Sequence, residues 1–380
     1  MIKLTLAQSL YSIGPLTLTI ALPATIGASN AGEFLGHLAL SGLIAILINL
    51  SFDGFIQREI LHGQFTTARV LIGNRLRLTL MITLVSAMAC LIFPRLWIYY
   101  PVALGAVAIS LSITAQGALR VSHKMSRFFQ FGVLSNLIIP TACALSPYAQ
   151  SSITPDILFS GYACLLAIAS FIYLCLLISA GDADTSTRVD TKLFYIEGLM
   201  ILPHTVGLYL LLWSDRLGLT FLKQNSEVTE VARASLPAAA AFALIAIVVG
   251  PFTKHQFSTS NLFNDPNRVG RVLLFTSLGS SISLLGIGVL LRMGSFNFIY
   301  SYGLGKDFLT LCICYLFVPL SSLVYSVIGG QLFMQRDGRW YAPLTVSIGT
   351  SSIVSAYFTY LMFSKNLTVF PLFICLGYSI

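Results

Sequence analysis

The chain has 380 residues, 56% of them hydrophobic and only 9% charged, with a mean hydropathy of +0.84. Soluble domains carry about a quarter charged residues, so this composition excludes a soluble globular enzyme and defines an integral membrane protein. The formal charge of +8 would suit nucleic acid, but the basic residues are scattered between apolar runs, where membrane topology accounts for them and no nucleic-acid partner is implied.

The apolar runs are continuous and about 20 residues long, as spanning helices require. A transmembrane barrel would instead show alternating segments of about 10 residues. The first span is expected over 4–26; its long apolar part, holding Pro15 and Pro23, reads as an uncleaved helix rather than a signal peptide. A short polar turn at 27–36 and a second span at 37–56 follow, then a basic loop with Arg58, Arg69, Arg75 and Arg77. Spans are expected at 78–99, 101–119, 128–149 (interrupted by Pro140) and 157–180. The most hydrophilic stretch, 181–192, divides the chain near its midpoint. The second half opens with the apolar segment Phe194–Phe221 and continues with spans at 232–250, 272–293, 308–333 and 342–363, and a short twelfth at 367–380.

The expected fold is therefore an all-α integral membrane protein of about 12 transmembrane helices in two six-helix bundles around a central cavity. The bundles cover 1–180 and 193–380, joined by a cytoplasmic linker at 181–192. Residues 33–55 can be laid on 230–252 at a constant offset of 197, which suits two parallel repeats. Of the 22 Lys and Arg residues, seven (Arg95, Arg216, Lys223, Arg233, Arg292, Lys306, Lys365) fall on one side and the rest on the side of the N-terminus. The positive-inside rule then places both termini in the cytoplasm. The seven cysteines lie within apolar runs and read as small buried hydrophobes. Cys312 and Cys314 point to different sides of a helix, so neither a metal nor a cofactor is expected.

The segment Phe194–Phe221 carries Glu197, His204, Asp215 and Arg216, with Pro203 in its middle. Glu197 and Asp215 are eighteen residues apart and share one azimuth on a straight helix, with His204 close to the same line. Each such group costs about 2.5–3.5 kcal/mol near the membrane centre, so something polar should face the stripe. Two readings stay open for each residue. His204 bonds the backbone freed by Pro203, or it is a protonatable group lining a cavity. Asp215 and Arg216 form an interhelical ion pair or contribute to a substrate path. Glu197 is a solvated helix end, and Asp53 a helix cap, unless they too line that path. Arg58, Arg77 and Arg120 are topology charges or loading-site cations. No catalytic residue is expected.

Two stretches carry a family resemblance: SFDGFIQRE at 51–59, and WSDRLGLTFLKQNSEVTEVARASLPAAA from Trp213, which leads to Pro251-Phe252. The first matches an aspartate-glycine-aromatic pattern (Asp53-Gly54-Phe55) near the end of span two. The second matches an Asp-Arg pair (Asp215-Arg216), a polar turn with Glu230, and a small-residue span ending at Pro251. The chain thus resembles the O-antigen and polysaccharide flippases (Wzx-like) of the multidrug/oligosaccharidyl-lipid/polysaccharide exporter superfamily. The resemblance implies movement of undecaprenyl-pyrophosphate-linked sugar units from the cytoplasmic to the periplasmic leaflet of the bacterial inner membrane. Its implied partners are this lipid-linked oligosaccharide, membrane lipid, and the polymerase and chain-length proteins of the same pathway, with proton or sodium coupling left open. Pyrophosphate needs cations, and arginine binds it in a bidentate way.

Rival readings are weaker on sequence grounds. A drug/cation antiporter of the same superfamily typically holds an acid in span one, and residues 4–32 contain none. A peptidoglycan-precursor flippase usually has more spans. An O-antigen polymerase should show a large periplasmic loop with arginines, and the loops here are short.

Overall fold

The computed structural model describes residues 14, 17–50, 52–122, 124–149, 153–179, 191–236, 238, 310–315, 317–318, 341–362 and 366–379. Every regular element among them is helical. In chain order these are α1 (Thr17–Ile26), α2 (Ala28–Asn49), α3 (Phe52–Leu61), α4 (Phe65–Ile92), a 3-10 turn (Pro94–Tyr99), α5 (Tyr100–Val121), α6 (Met125–Val133) and a π turn (Leu134–Ile138). They continue with α7 (Ile139–Ala149), α8 (Pro155–Ser179), α9 (Thr191–Phe221), α10 (Asn225–Ala234), α11 (Tyr341–Met362) and α12 (Val369–Ser379). Among the described residues, six helices are long and apolar enough to cross a membrane: Ala28–Asn49, Phe65–Ile92, Pro94–Val121, Ser126–Tyr148, Pro155–Ser179 and Phe194–Phe221. The protein is an all-α, multi-pass membrane protein.

Contacts group Ile13–Thr229 into one compact unit and assign the described residues from Glu230 onward to a second. In the first unit α5 is central and packs on α2, α3, α4 and α8. Its sequence explains this: Gly105, Ala106, Ala108, Ser110, Ala115, Gly117 and Ala118 are small and buried, so neighbouring backbones approach closely. Ala108 meets Ala163 and Leu166 of α8. Outward faces are apolar instead, as lipid contact demands: Leu80, Met81, Leu84, Val85 and Met88 of α4 are all exposed. Trp97 and Tyr99, on the exposed turn between α4 and α5, supply amphipathic rings of the kind found at membrane–water interfaces.

Helices α2 and α9 run antiparallel at very short range. Gly36 lies against the side chain of Thr220 and Gly42 against the Tyr209 hydroxyl, while Gly32 lies against the backbone of Asn225 at the start of α10. At the other end Gly198 meets the Leu50 carbonyl. The Tyr209 hydroxyl donates to the Ala39 carbonyl at 2.8 Å, and Thr229 Oγ1 donates to the Ala28 carbonyl at 2.7 Å. Small residues on this face allow the approach, and polar side chains then stitch it.

The structure corrects several expected boundaries. The polar turn expected at 27–36 is a single residue, Gly27 (φ 84°), and α2 begins at Ala28. The span expected over 37–56 stops at Asn49, where Leu50 takes a left-handed conformation (φ 47°), and α3 starts anew. The basic loop is mostly helix: Arg58 lies on α3, and Arg69, Arg75 and Arg77 lie on α4, which begins at Phe65 rather than near residue 78. A helix tolerates charge over its first turns if those turns lie outside the hydrocarbon or face a protein interior, and hydropathy alone misses such extensions. Around Pro140 the helix does not break. Pro140 cannot donate to the residue 136 carbonyl, and the wider π turn at Leu134–Ile138 takes up the mismatch. Among the cysteines Cys90, Cys143 and Cys312 are buried, whereas Cys164 is exposed. The linker at 181–190, the spans expected at 272–293 and most of those at 232–250 and 308–333, and most of the repeat partner at 230–252, lie outside the described residues. The short twelfth helix is α12, of 11 residues.

A Cβ built on Gly36 would sit 2.6 Å from Thr220 Oγ1, whereas one built on Gly161 of α8 meets nothing within 4 Å. Gly36→Leu is expected to lose about 1–3 kcal/mol through overpacking, read as a lower thermal unfolding midpoint in detergent. Gly161→Leu should leave the midpoint unchanged. Equal midpoints for both variants would contradict the close α2–α9 packing.

Candidate functional site

The Asn49 end of α2 gathers the first polar group. Arg75, on α4, is only 1% exposed. Its Nη1 donates to the Ile48 carbonyl at 2.5 Å and its Nη2 donates to Ser110 Oγ on α5. Ile48 lies in the last turn of α2, where carbonyls lack intrahelical partners and a cation is favoured. One guanidinium therefore joins α2, α4 and α5. Its Nε has no hydrogen-bond partner among the described residues, nor has the buried Thr79 Oγ1 one turn further on. Beside it, Asn49 Nδ2 donates to Asp53 Oδ1 at 2.9 Å across the α2–α3 break. Asp53 lies beyond the end of the spanning helix. Burial pushes its carboxyl above the usual range, opposed by backbone amides, the Arg75 charge and the Asn49 amide.

The second group lies where α3, α5 and α9 meet. Arg58 is half-exposed (46%), with Nε 3.2 Å from Glu59 Oε1 and Nη1 3.6 Å from Glu197 Oε2 on α9. The Arg58 guanidinium also lies over the rings of Phe55 and Phe194, at 5.2 and 5.8 Å. Phe52 and Tyr195 extend this aromatic wall, their rings 4.8 Å apart. Arg120, in the last turn of α5, donates from Nη2 to Gln57 Oε1 at 2.8 Å. Arg77 is exposed on α4 and takes part in neither group.

The third group is on the far half of α9. Tyr209 and Trp213 stack at 5.6 Å and 12°, and the Arg216 guanidinium lies 4.3 Å from the Trp213 ring centre. Residues four and three apart share a helix face, so this column follows from spacing. Asp215 is only 2% exposed, and its Oδ1 accepts from the backbone N–H of Arg216 at 2.6 Å. His204 is half-buried midway along α9, next to Pro203.

Glu197, His204 and Asp215 do share one helix, as their spacing requires, but their surroundings differ: Glu197 is half-exposed and Asp215 is buried. Of the residues singled out from sequence, the structure brings Asp53, Arg58, Arg120 and Glu197 to one end of the first unit. It leaves His204, Asp215 and Arg216 along α9 and Arg77 apart from both. Sequence reasoning missed Arg75, Asn49, Tyr209 and Trp213. Arg75 reads as loop because the apolar pattern only takes hold near Leu78. The signal lay in the two-residue offset between Arg75 and Arg77, which on a helix sends one inward and the other out.

Chemically, Arg58 and Arg120 are accessible cations, and Arg58 also lies beside two aromatic faces. That combination suits a phosphate or carboxylate carried on an apolar or sugar-like body, or a planar amphiphile. Arg75 is enclosed and bonds the last turn of α2 and the middle of α5.

No protein-family model matches the sequence, and no curated protein matches it. Solved structures do match its fold. The outward-facing conformation of a multidrug resistance MATE family transporter of the MOP superfamily superposes with a TM-score of 0.63 at 12% identity, covering 100% of this chain and 91% of that one. The inward-facing conformation of such a transporter gives 0.57 at 15% identity, over 98% and 91%. A structure of the MATE multidrug transporter DinF-BH gives 0.62 at 12% identity, over 100% and 92%. The chain therefore has the fold of the MATE transporters of the MOP superfamily. These three solved structures are of transporters.

Arg75→Ala would leave the Ile48 carbonyl and Ser110 hydroxyl without their shared donor. The expected cost is about 3 kcal/mol, from two charged hydrogen bonds of about 1.5–3 kcal/mol each less partial relaxation, seen as a lower unfolding midpoint in detergent. Arg75→Lys should recover only part of it, because an ammonium lacks the fork that reaches both partners. A wild-type midpoint in Arg75→Ala would contradict the role given to this side chain.

Proposed function

We propose that this protein is a secondary transporter that carries an amphiphilic substrate across the membrane by alternating access, and that export of small amphiphilic molecules against a cation gradient is its activity. The observation that carries this reading is the match of its fold, over the whole chain, to multidrug transporters. The accessible Arg58, paired with Glu197 and faced by Phe55 and Phe194, supplies the mixed charged and aromatic surface that an amphiphile requires. In this reading both termini are cytoplasmic, and the halves 1–180 and 193–380 flank a central path. Asp53, Arg58, Arg120 and Glu197 stand at its cytoplasmic mouth, His204 at its middle, and Asp215 and Arg216 toward the periplasm. The membrane is a bacterial inner membrane, and the coupling ion is a proton or sodium.

A second reading is favoured by the two sequence stretches around Asp53 and Asp215: flipping of a lipid-linked oligosaccharide, with Arg58 and Arg120 receiving the pyrophosphate. One pair of experiments separates the two. The chain is expressed in a bacterium stripped of its own exporters and efflux of a fluorescent cationic dye is measured. The gene is also deleted from its host and the lipopolysaccharide examined. Dye efflux with normal O-chains is expected. Loss of long O-chains with accumulation of lipid-linked single units would replace the first reading with the second. The absence of both effects would overturn both readings.

Arg58→Ala is expected to lower dye efflux at least fivefold with normal amounts of protein in the membrane, while Arg77→Ala leaves efflux unchanged. Full efflux in Arg58→Ala would reduce Arg58 to a topology charge.

A further inference from the structure

A polar cluster outside the groups above lies between α2 and α8. Glu33 and His37 are one turn apart on α2, and Asp156 stands in the first turn of α8. One donor atom from each of the three lies within 4.8 Å of the other two. All three residues are half-buried. His37 Nδ1 is 3.6 Å from Asp156 Oδ1, which is too long for a hydrogen bond. That nitrogen is buried and has no hydrogen-bond partner among the described residues.

The setting is aromatic and closely packed. Phe159, fully buried on α8, packs edge-on against Phe34 at 5.1 Å, and the His37 ring lies 5.6 Å from Phe159. Tyr162 packs edge-on against Phe34 at 5.8 Å. These rings fix the approach of α2 to α8 and hold the imidazole toward the carboxylates. Thr154 Oγ1 accepts from the Ile157 N–H at 3.4 Å, at the very start of α8, which holds the backbone around Asp156.

We propose that Glu33, His37 and Asp156 form a binding site for a divalent transition-metal cation of the zinc class. The donor set decides the class. Imidazole with carboxylates suits zinc, whereas calcium and magnesium prefer all-oxygen sites. The spacing agrees: ligand bonds of about 2.0–2.2 Å in a tetrahedron put two donors about 3.4 Å apart, close to the observed 3.6 Å between His37 and Asp156. Glu33 needs a side-chain adjustment of about 1 Å to reach the same sphere. Three protein ligands leave a fourth position for water, since Asp156 is 49% exposed and opens the site to solvent. Bound metal would replace a long ion pair with two bonds from α2 and one from α8, clamping these helices together. The site is independent of the transport reading and stands or falls without it.

The test uses the full chain, untagged, chelator-treated and held in detergent, with zinc alone as the probe in equilibrium dialysis. The expected result is one saturable zinc per chain, with affinity at least tenfold weaker in both His37→Gln and Asp156→Asn. Cobalt in place of zinc should give the visible absorption of a tetrahedral centre in the wild type and lose it in Asp156→Asn. Because Asp156 is at the solvent edge, that variant carries the test if His37→Gln fails to fold. Absence of saturable zinc binding in the wild type, or unchanged affinity in Asp156→Asn, would overturn the proposal and leave an ion pair between α2 and α8 only.

Discussion

A buried guanidinium ties the end of one helix to the middle of another that it has no hydrophobic reason to choose. In lipid, apolar faces gain little by meeting, so association rests on close backbone approach and on polar contacts that hydrocarbon cannot offer. Arg75 supplies the second: its two bonds reach the last turn of α2 and the middle of α5. The glycines of α2 supply the first, bringing α9 alongside through Gly36 and Gly42 and the start of α10 through Gly32. Once α2 is fixed in this way, the break at Leu50 sets where α3 departs. That departure carries Asp53 toward Asn49 and Arg58 toward Glu197.

The same frame explains why charged groups can stand along α9. Asp215 is buried with its carboxylate turned to the backbone, and Arg216 covers its charge with the Trp213 ring. Glu197, at the other end, has Arg58 and solvent. One helix thus carries ionisable groups at three places along its length, in differing surroundings, rather than one continuous polar stripe.

Much of this was legible in the sequence, and the losses have physical causes. The spans at 101–119, 157–180, Phe194–Phe221 and 342–363 agree with the helices found to within a few residues, because their apolar runs end sharply at Pro or at charge. The failures cluster between Gly27 and Leu78. There the helices extend beyond the apolar window, and hydropathy reads their polar turns as loops. Arg75 vanished into such a loop, though it is the most enclosed charge described. The partners of Arg58 depend on tertiary approach of α9 to α3, which no local pattern encodes. The short motifs resemble a transporter superfamily, and the fold matches solved structures of that superfamily. The motifs resemble one branch and the solved structures of the same fold come from another, since a fold does not fix a function.

Transport itself is most directly tested with the purified chain reconstituted into sealed vesicles, with an imposed cation gradient and a fluorescent cationic dye on one side. Dye movement above that of protein-free vesicles is expected, abolished when the gradient is collapsed. Vesicles that move neither the dye nor a lipid-linked oligosaccharide faster than protein-free controls would contradict it.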